Sequence, residues 1–212
     1  MYGVTFGRKH SIYDYGLVMT DYSISNPAVT RYLVKVPGRN GVLELTESLT
    51  PYITYDNRQL QFAFVWRSRP EDYEEAKQTI INDLHGKKMQ VILDSDPDYY
   101  YDGFVTVDSD SFSGRERADI VVHVDAAPYK LRKTETTKTK SRSGTLVCEN
   151  SRMEVIPQIK VTAATSITFN NSTYSLSAGT YTLPGIVFKE GNNTLTISGS
   201  GTTTVKYRQG RL

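Results

Sequence analysis

The chain has 212 residues, enough for one large domain or two small ones, with 38% hydrophobic residues and a formal net charge of +2 from 25 basic and 23 acidic side chains. A charge so near balance gives no reason to expect nucleic-acid or membrane binding, and a single cysteine, Cys148, excludes both an intramolecular disulfide and a cysteine-built metal site. Tyrosine reaches 15 and phenylalanine 7 while mean hydropathy is −0.42, so the core is expected to lean on aromatic rings in a β-rich fold.

Met1 to His10 lacks the apolar core and basic flank of a secretory signal, and none is expected. The longest apolar run, Phe62 to Trp66, falls far short of the ~20 residues of a membrane-spanning helix. Short β-type runs alternate with turn signals through the first half: Gly16 to Ile24, Val29 to Val36, Val42 to Thr46, Gln59 to Trp66 and Lys88 to Leu93. In the fourth of these, Phe62, Phe64 and Trp66 recur at every second residue, which sets three large rings on one face of a strand and makes that face core.

One helix follows. Ser68 and Glu71 have capping-box spacing, Pro70 suits the first turn, and Glu71, Asp72, Glu74 and Glu75 complement the positive end of the helix dipole. Tyr73, Ala76, Ile80 and Leu84 recur at helical spacing, Gly86 is the stop, and His85 is read as a cation at the negative end. This is an amphipathic helix laid against a sheet.

Tyr99 to Val107 and Ala118 to Val124 read as a hairpin around the polar stretch Asp108 to Arg117. Lys130 to Ser143 then holds six basic residues against the single acid Glu135, so 131–150 is expected to be a basic, Thr-rich connector or arm between a 1–130 domain and a 151–212 domain. Its β-favouring threonines would let such an arm add to another sheet edge. From Val155 to Tyr207 short apolar runs separated by Gly and Asn, with tight turns expected at Asn192-Asn193 and Gly199-Ser200-Gly201, indicate a small all-β sandwich of Greek-key or jelly-roll type.

The search for chemistry finds little. Asp94-Ser95-Asp96-Pro97-Asp98 opens like a calcium loop, but the required glycine at position six is Tyr99 and the bidentate glutamate at position twelve is Val105, so an acidic turn is expected instead. His10, His85 and His123 are far apart in sequence, and His123 reads as a half-buried strand residue. Gly199-Ser200-Gly201 has the wrong spacing for a nucleophile elbow, and Cys148 reads as a small apolar strand residue. The sequons at Asn170, Asn171 and Asn192 fall where such triplets arise by chance. No catalytic, metal or cofactor site is expected.

Phe6 with Lys9-His10-Ser11, then Asp14-Tyr15-Gly16-Leu17, and most specifically Val36-Pro37-Gly38-Arg39-Asn40-Gly41-Val42-Leu43-Glu44-Leu45-Thr46, stand in an order that resembles the distal tail protein (Dit) family of long-tailed, siphovirus bacteriophages, a family of phage tail components. Next come the aromatic strand, the helix ending Leu84-His85-Gly86-Lys87, Tyr99-Tyr100-Tyr101-Asp102-Gly103, Pro128-Tyr129, and the looser Leu183-Pro184-Gly185 and Glu190 to Leu195 in the second half. The resemblance implies a mainly β protein with one helix: an N-terminal barrel- or sandwich-like domain packed with the helix, and a small galectin-like C-terminal β-sandwich.

It further implies a structural protein rather than an enzyme: a hexameric ring in the virion tail, assembled in the host bacterial cytoplasm, that joins the tail tube protein to the tail-tip hub. Receptor-binding or baseplate proteins are further partners, and DNA passes through the channel without specific binding. A ring needs two different patches of each subunit to meet around a closing rotation axis. The candidate patches are the turn Pro37, Gly38, Arg39, Asn40 and Gly41 and the basic arm residues Lys138, Lys140 and Arg142. The competing readings are a monomeric module binding host cell-wall polysaccharide, which would need an exposed platform among Phe169, Tyr174, Tyr181, Phe188 and Tyr207, and a hydrolase using Asp94, Asp96 or Asp98.

Overall fold

A computed structural model describes residues 3–49, 53–66, 72–109 and 118–212. The chain divides into two units, Met1–Pro128 and Tyr129–Leu212. The first grows from the aromatic strand, β6 (Arg58–Trp66), whose Leu60, Phe62, Phe64 and Trp66 alternate onto one buried face as their spacing predicts. Before β6 come β1 (Val4–Phe6), β2 (Lys9–His10), β3 (Leu17–Ile24), β4 (Leu33–Val34), β5 (Leu43–Glu44) and a single helical turn, α1 (Thr46–Leu49). After it come α2 (Tyr73–Leu84), β7 (Lys87–Leu93), β8 (Tyr99–Ser109) and β9 (Ala118–Ala126).

Seven of these strands pair antiparallel in the order β2-β1-β7-β8-β9-β6-β3. In a flat sheet β1 and β6 would lie four inter-strand steps apart, roughly 19 Å. Phe6 of β1 nevertheless meets Phe62 of β6 edge-on with ring centroids 5.9 Å apart, and Phe64 at 6.2 Å. Residues 11–16 also carry the chain from β2 at one edge to β3 at the other, with Leu17 N–H donating to Ser11 O at 2.7 Å. The sheet is therefore rolled into an open barrel, its inside filled by Val4, Phe6, Leu17, Leu60, Phe62, Phe64, Val91, Val105, Val122 and Val124.

Helix α2 covers this core with Tyr73, Ile80 and Leu84, and Trp66 packs on Tyr73 at 5.5 Å. The proposed capping residues Ser68, Pro70 and Glu71 lie outside the described residues. At the far end His85 N–H bonds to Ile81 O and Gly86 N–H to Val105 O, which turns the chain into β7. The His85 ring is engaged by the sheet: its Nδ1 accepts the Val107 amide at 3.1 Å.

The second unit begins earlier than the sequence suggests. Residues 131–150 are not a connector: β10 (Lys130–Arg132), β11 (Thr136–Ser141) and β12 (Gly144–Asn150) are strands of this unit. They are followed by β13 (Gln158–Val161), β14 (Thr165–Phe169), β15 (Ser172–Leu176), β16 (Gly179–Thr182), β17 (Gly191–Gly199), β18 (Thr202–Tyr207) and β19 (Gly210–Arg211). Two four-stranded antiparallel sheets, β11-β18-β13-β16 and β12-β17-β14-β15, enclose Leu146, Cys148, Ile159, Ile167, Phe188, Leu195, Val205 and Tyr207, and β10 pairs with β19. The physical reason for the shift is volume: β12 supplies Leu146 and Cys148 to a core that would be marginal without them.

Of the two expected tight turns, Gly199-Ser200-Gly201 does join β17 to β18, and the other changes. Asn192-Asn193 lies inside β17, where buried Asn193 donates from Nδ2 to Lys189 O at 2.8 Å and Gly191 O at 3.1 Å and accepts the Lys189 amide at 2.9 Å. The tight turn belongs to Asn170-Asn171, both with positive φ (47° and 65°), which join β14 to β15.

Candidate subunit interface

The chain between β3 and β6 is a long excursion that bonds mainly to itself. Thr30 N–H donates to Thr54 O and Asp56 N–H to Ala28 O, each at 2.9 Å, and β4 pairs with β5 further out. Arg31 grips Glu44 with both arms of its guanidinium, Nε to Oε1 at 3.1 Å and NH2 to Oε2 at 2.7 Å. That fork holds the Glu44 carboxyl below the usual carboxylate range. Tyr32 N–H donates to Thr46 Oγ1 and Leu45 N–H to Tyr32 O, which ties α1 to the outgoing leg.

The tip is the predicted patch. Arg39 N–H bonds back to Val36 O at 3.2 Å across Pro37 and Gly38, and Gly38 has φ +79°. Proline at the second position and a left-handed glycine at the third define a type II turn. Gly41, also at φ +79°, starts the return leg. All residues from 31 to 42 are exposed, and among the described residues the Lys35 and Arg39 cations have no acidic partner.

Sequence reasoning missed the flanks. It took Val29 to Val36 and Val42 to Thr46 for ordinary sheet strands, whereas the structure pairs only Leu33–Val34 with Leu43–Glu44 and adds a Val29–Tyr55 bridge. Val29, Tyr32, Leu33, Val34, Val36, Val42, Leu49 and Ile53 are all exposed large hydrophobics on this one excursion. The others in the described residues are scattered: Tyr13, Tyr22, Phe104, Val147, Ile156 and Leu212. A concentration of apolar surface on one projecting element is characteristic of a contact surface. The available signal was Pro27, Pro37 and Pro51, which cut these apolar runs too short for central strands.

Lys138, Lys140 and Arg142 belong to the second unit and do not form a free arm. Lys138 and Lys140 are paired opposite Val205 and Thr203, whose side chains are buried, so the two lysines sit on the inward side of edge strand β11. Lys140 lies over Gly144, and Arg142 is the turn residue, with φ 63° and its amide bonded to Gly201 O at 2.8 Å. Lysines on an edge strand disfavour further strand addition.

The candidate chemical residues are dispersed into structural roles. Asp94 accepts the Gly3 amide at 2.8 Å and faces His10 Nε2 at 3.2 Å, while Asp96 closes the β7–β8 turn. His123 on β9 faces Asp108 at 3.1 Å, and no group of three or more metal-capable side chains occurs among the described residues. Cys148 is buried, which pushes its thiol up to about 11. Of the possible sugar platform, Phe169, Phe188 and Tyr207 are core, and Tyr174 and Tyr181 pack against it. Tyr207 donates to Glu149 O at 2.6 Å.

These features define a class: a two-unit β protein in which an open barrel carrying one helix extends an apolar hairpin, followed by an eight-stranded sandwich closed by a small ribbon. The fold is similar to that of the crystal structure of SPP1 Dit (gp 19.1), described as a paradigm of the hub adsorption apparatus in phages infecting Gram-positive bacteria. The two chains match over 100% of each, with a TM-score of 0.75 at 12% sequence identity. No family model and no curated protein matches the sequence.

Proposed function

We propose that this chain is a phage or prophage distal tail protein, a structural subunit that forms a hexameric hub ring between tail tube and tail tip and leaves a channel for DNA. The observation that supports the reading is the agreement in fold with SPP1 Dit over the full length of both chains, at 12% sequence identity. The 25–57 excursion supports it independently, because a ring requires each subunit to offer a surface unlike the one it receives. In this reading the tip Pro37, Gly38, Arg39, Asn40 and Gly41, with flanking Leu33 and Val42, meets the neighbouring subunit. Tail tube and tail-tip hub proteins are the axial partners, and the protein resides in the virion tail.

The test is a paired charge insertion, Leu33→Asp with Val42→Asp. Both sites are exposed in the subunit, so its own fold tolerates the change while a buried contact would not. Native mass spectrometry is expected to find higher assemblies for the parent chain and monomers for the variant, with matching unfolding midpoints. Equal assembly of both proteins would remove the excursion from the interface.

A further inference from the structure

We propose that Asn40-Gly41 is a self-modifying site, at which the free subunit converts Asn40 to isoaspartate or aspartate through a cyclic imide and so changes the charge at the hairpin tip. The step needs a backbone nitrogen to reach the preceding asparagine side chain. The Gly41 nitrogen, on losing its proton to solvent base, bonds to Asn40 Cγ; the Cγ–Nδ2 bond breaks and the amide nitrogen leaves as ammonia, taking protons from water. Water then opens the five-membered ring at either carbonyl. Attack on the main-chain carbonyl leaves isoaspartate, and attack on Cγ leaves aspartate. No enzyme, oxidant or co-reactant is required.

Four features of the molecule select this position. Gly41 brings no side chain to hinder the attack, and a Cβ built there would find nothing within 4 Å. Among the described residues the amides of Asn40, Gly41 and Val42 donate to nothing, so the nucleophile is not held in a ladder. Both residues are exposed to solvent base. Backbone pairing resumes only at Leu43, which leaves Asn40 free to turn its side chain towards the next nitrogen.

Every other asparagine lacks one of these conditions. Asn26 precedes Pro27, which has no N–H to lose, and Asn57 precedes bulky, buried Arg58 at the start of β6. Asn82 lies in α2, Asn150 is buried, and Asn192 and Asn193 are locked in the β17 ladder. Asn170 and Asn171 are in a tight turn and are followed by residues that carry side chains. Asp102-Gly103 has the same chemistry in sequence, but Gly103 is central in β8, paired on both sides. The product places a carboxylate beside Arg39, and isoaspartate also adds a carbon to the main chain in a turn whose register the tip depends on.

The test uses the full chain, incubated at mildly alkaline pH and sampled by peptide mapping with isoaspartate detection by an isoaspartyl methyltransferase. Conversion is expected first and most completely at Asn40, with isoaspartate in excess of aspartate, and Asn40→Gln is expected to abolish that signal without changing any other. Loss of the Asn40 amide no faster than that of Asn170 or Asn171, or an isoaspartate signal unchanged in Asn40→Gln, would overturn the proposal. A second arm rests on the interface reading: aged protein and Asn40→Asp are expected to assemble less than fresh protein. Conversion without any change in assembly would leave the modification standing and contradict the interface.

Discussion

Phe6 is where the rolled barrel can be tested against a flat sheet. Replacing it with leucine keeps most of the apolar burial but removes two edge-on ring contacts, with Phe62 at 5.9 Å and Phe64 at 6.2 Å. At about 0.5–1.5 kcal/mol for each aromatic pair, the change should cost roughly 1–3 kcal/mol. A double-mutant cycle isolates the closure: Phe6→Leu, Phe62→Leu and the pair together should show a coupling of about 0.5–1.5 kcal/mol. The assay is guanidinium unfolding followed by tryptophan fluorescence. Trp66 is the only tryptophan and is buried in the first unit, so the signal reports that unit alone. Additivity to within ~0.3–0.5 kcal/mol would mean that β1 and β6 are not brought together, and the rolled sheet would be wrong.

Three further outcomes follow from the second unit, whose only cysteine, buried Cys148, serves as its reporter. Asn193→Ala strands the carbonyls of Lys189 and Gly191 and the amide of Lys189, so it should cost about 1–3 kcal/mol or more, read as faster labelling of Cys148 by a thiol reagent; unchanged labelling would deny the network its role. Burial pushes the Tyr207 hydroxyl up to about 12, above the ~10 of an unfolded tyrosine, so its contribution is complete below pH ~10 and is lost as pH rises through about 12. Ultraviolet titration should find Tyr207 ionising late, near pH 12, and Tyr207→Phe should flatten the alkaline loss of stability. Lys138→Val with Lys140→Val should make the protein aggregate with rising concentration, measured by turbidity, because it uncovers the β11 edge; a variant as soluble as the parent would refute the shielding role.

What the sequence made legible was whatever carried a clean period. Phe62, Phe64 and Trp66 at spacing two, and Tyr73, Ile80 and Leu84 at helical spacing, were read correctly because burial and periodicity agree there. The stretch from Thr136 to Ser141 was misread because its inward positions are Thr136, Lys138 and Lys140: an edge strand guarded by lysines has no apolar alternation to find. The Pro37–Gly41 turn was legible from its proline and glycines, but the apolar flanks were not, since a run such as Leu33-Val34 looks the same whether it faces a core or a neighbour. At Asn170-Asn171 the sequon pattern carries no signal of the turn, which rests on two residues that tolerate positive φ.

The central claim is that one chain of 23.9 kDa supplies a repeating ring subunit. Its most direct test is the mass of the purified protein by light scattering after size exclusion, over a range of protein concentrations and with equimolar tail tube protein added. A closed species near six times the chain mass, alone or on adding the tube protein, is the predicted result. A monomer that persists at every concentration and ignores the tube protein would contradict it.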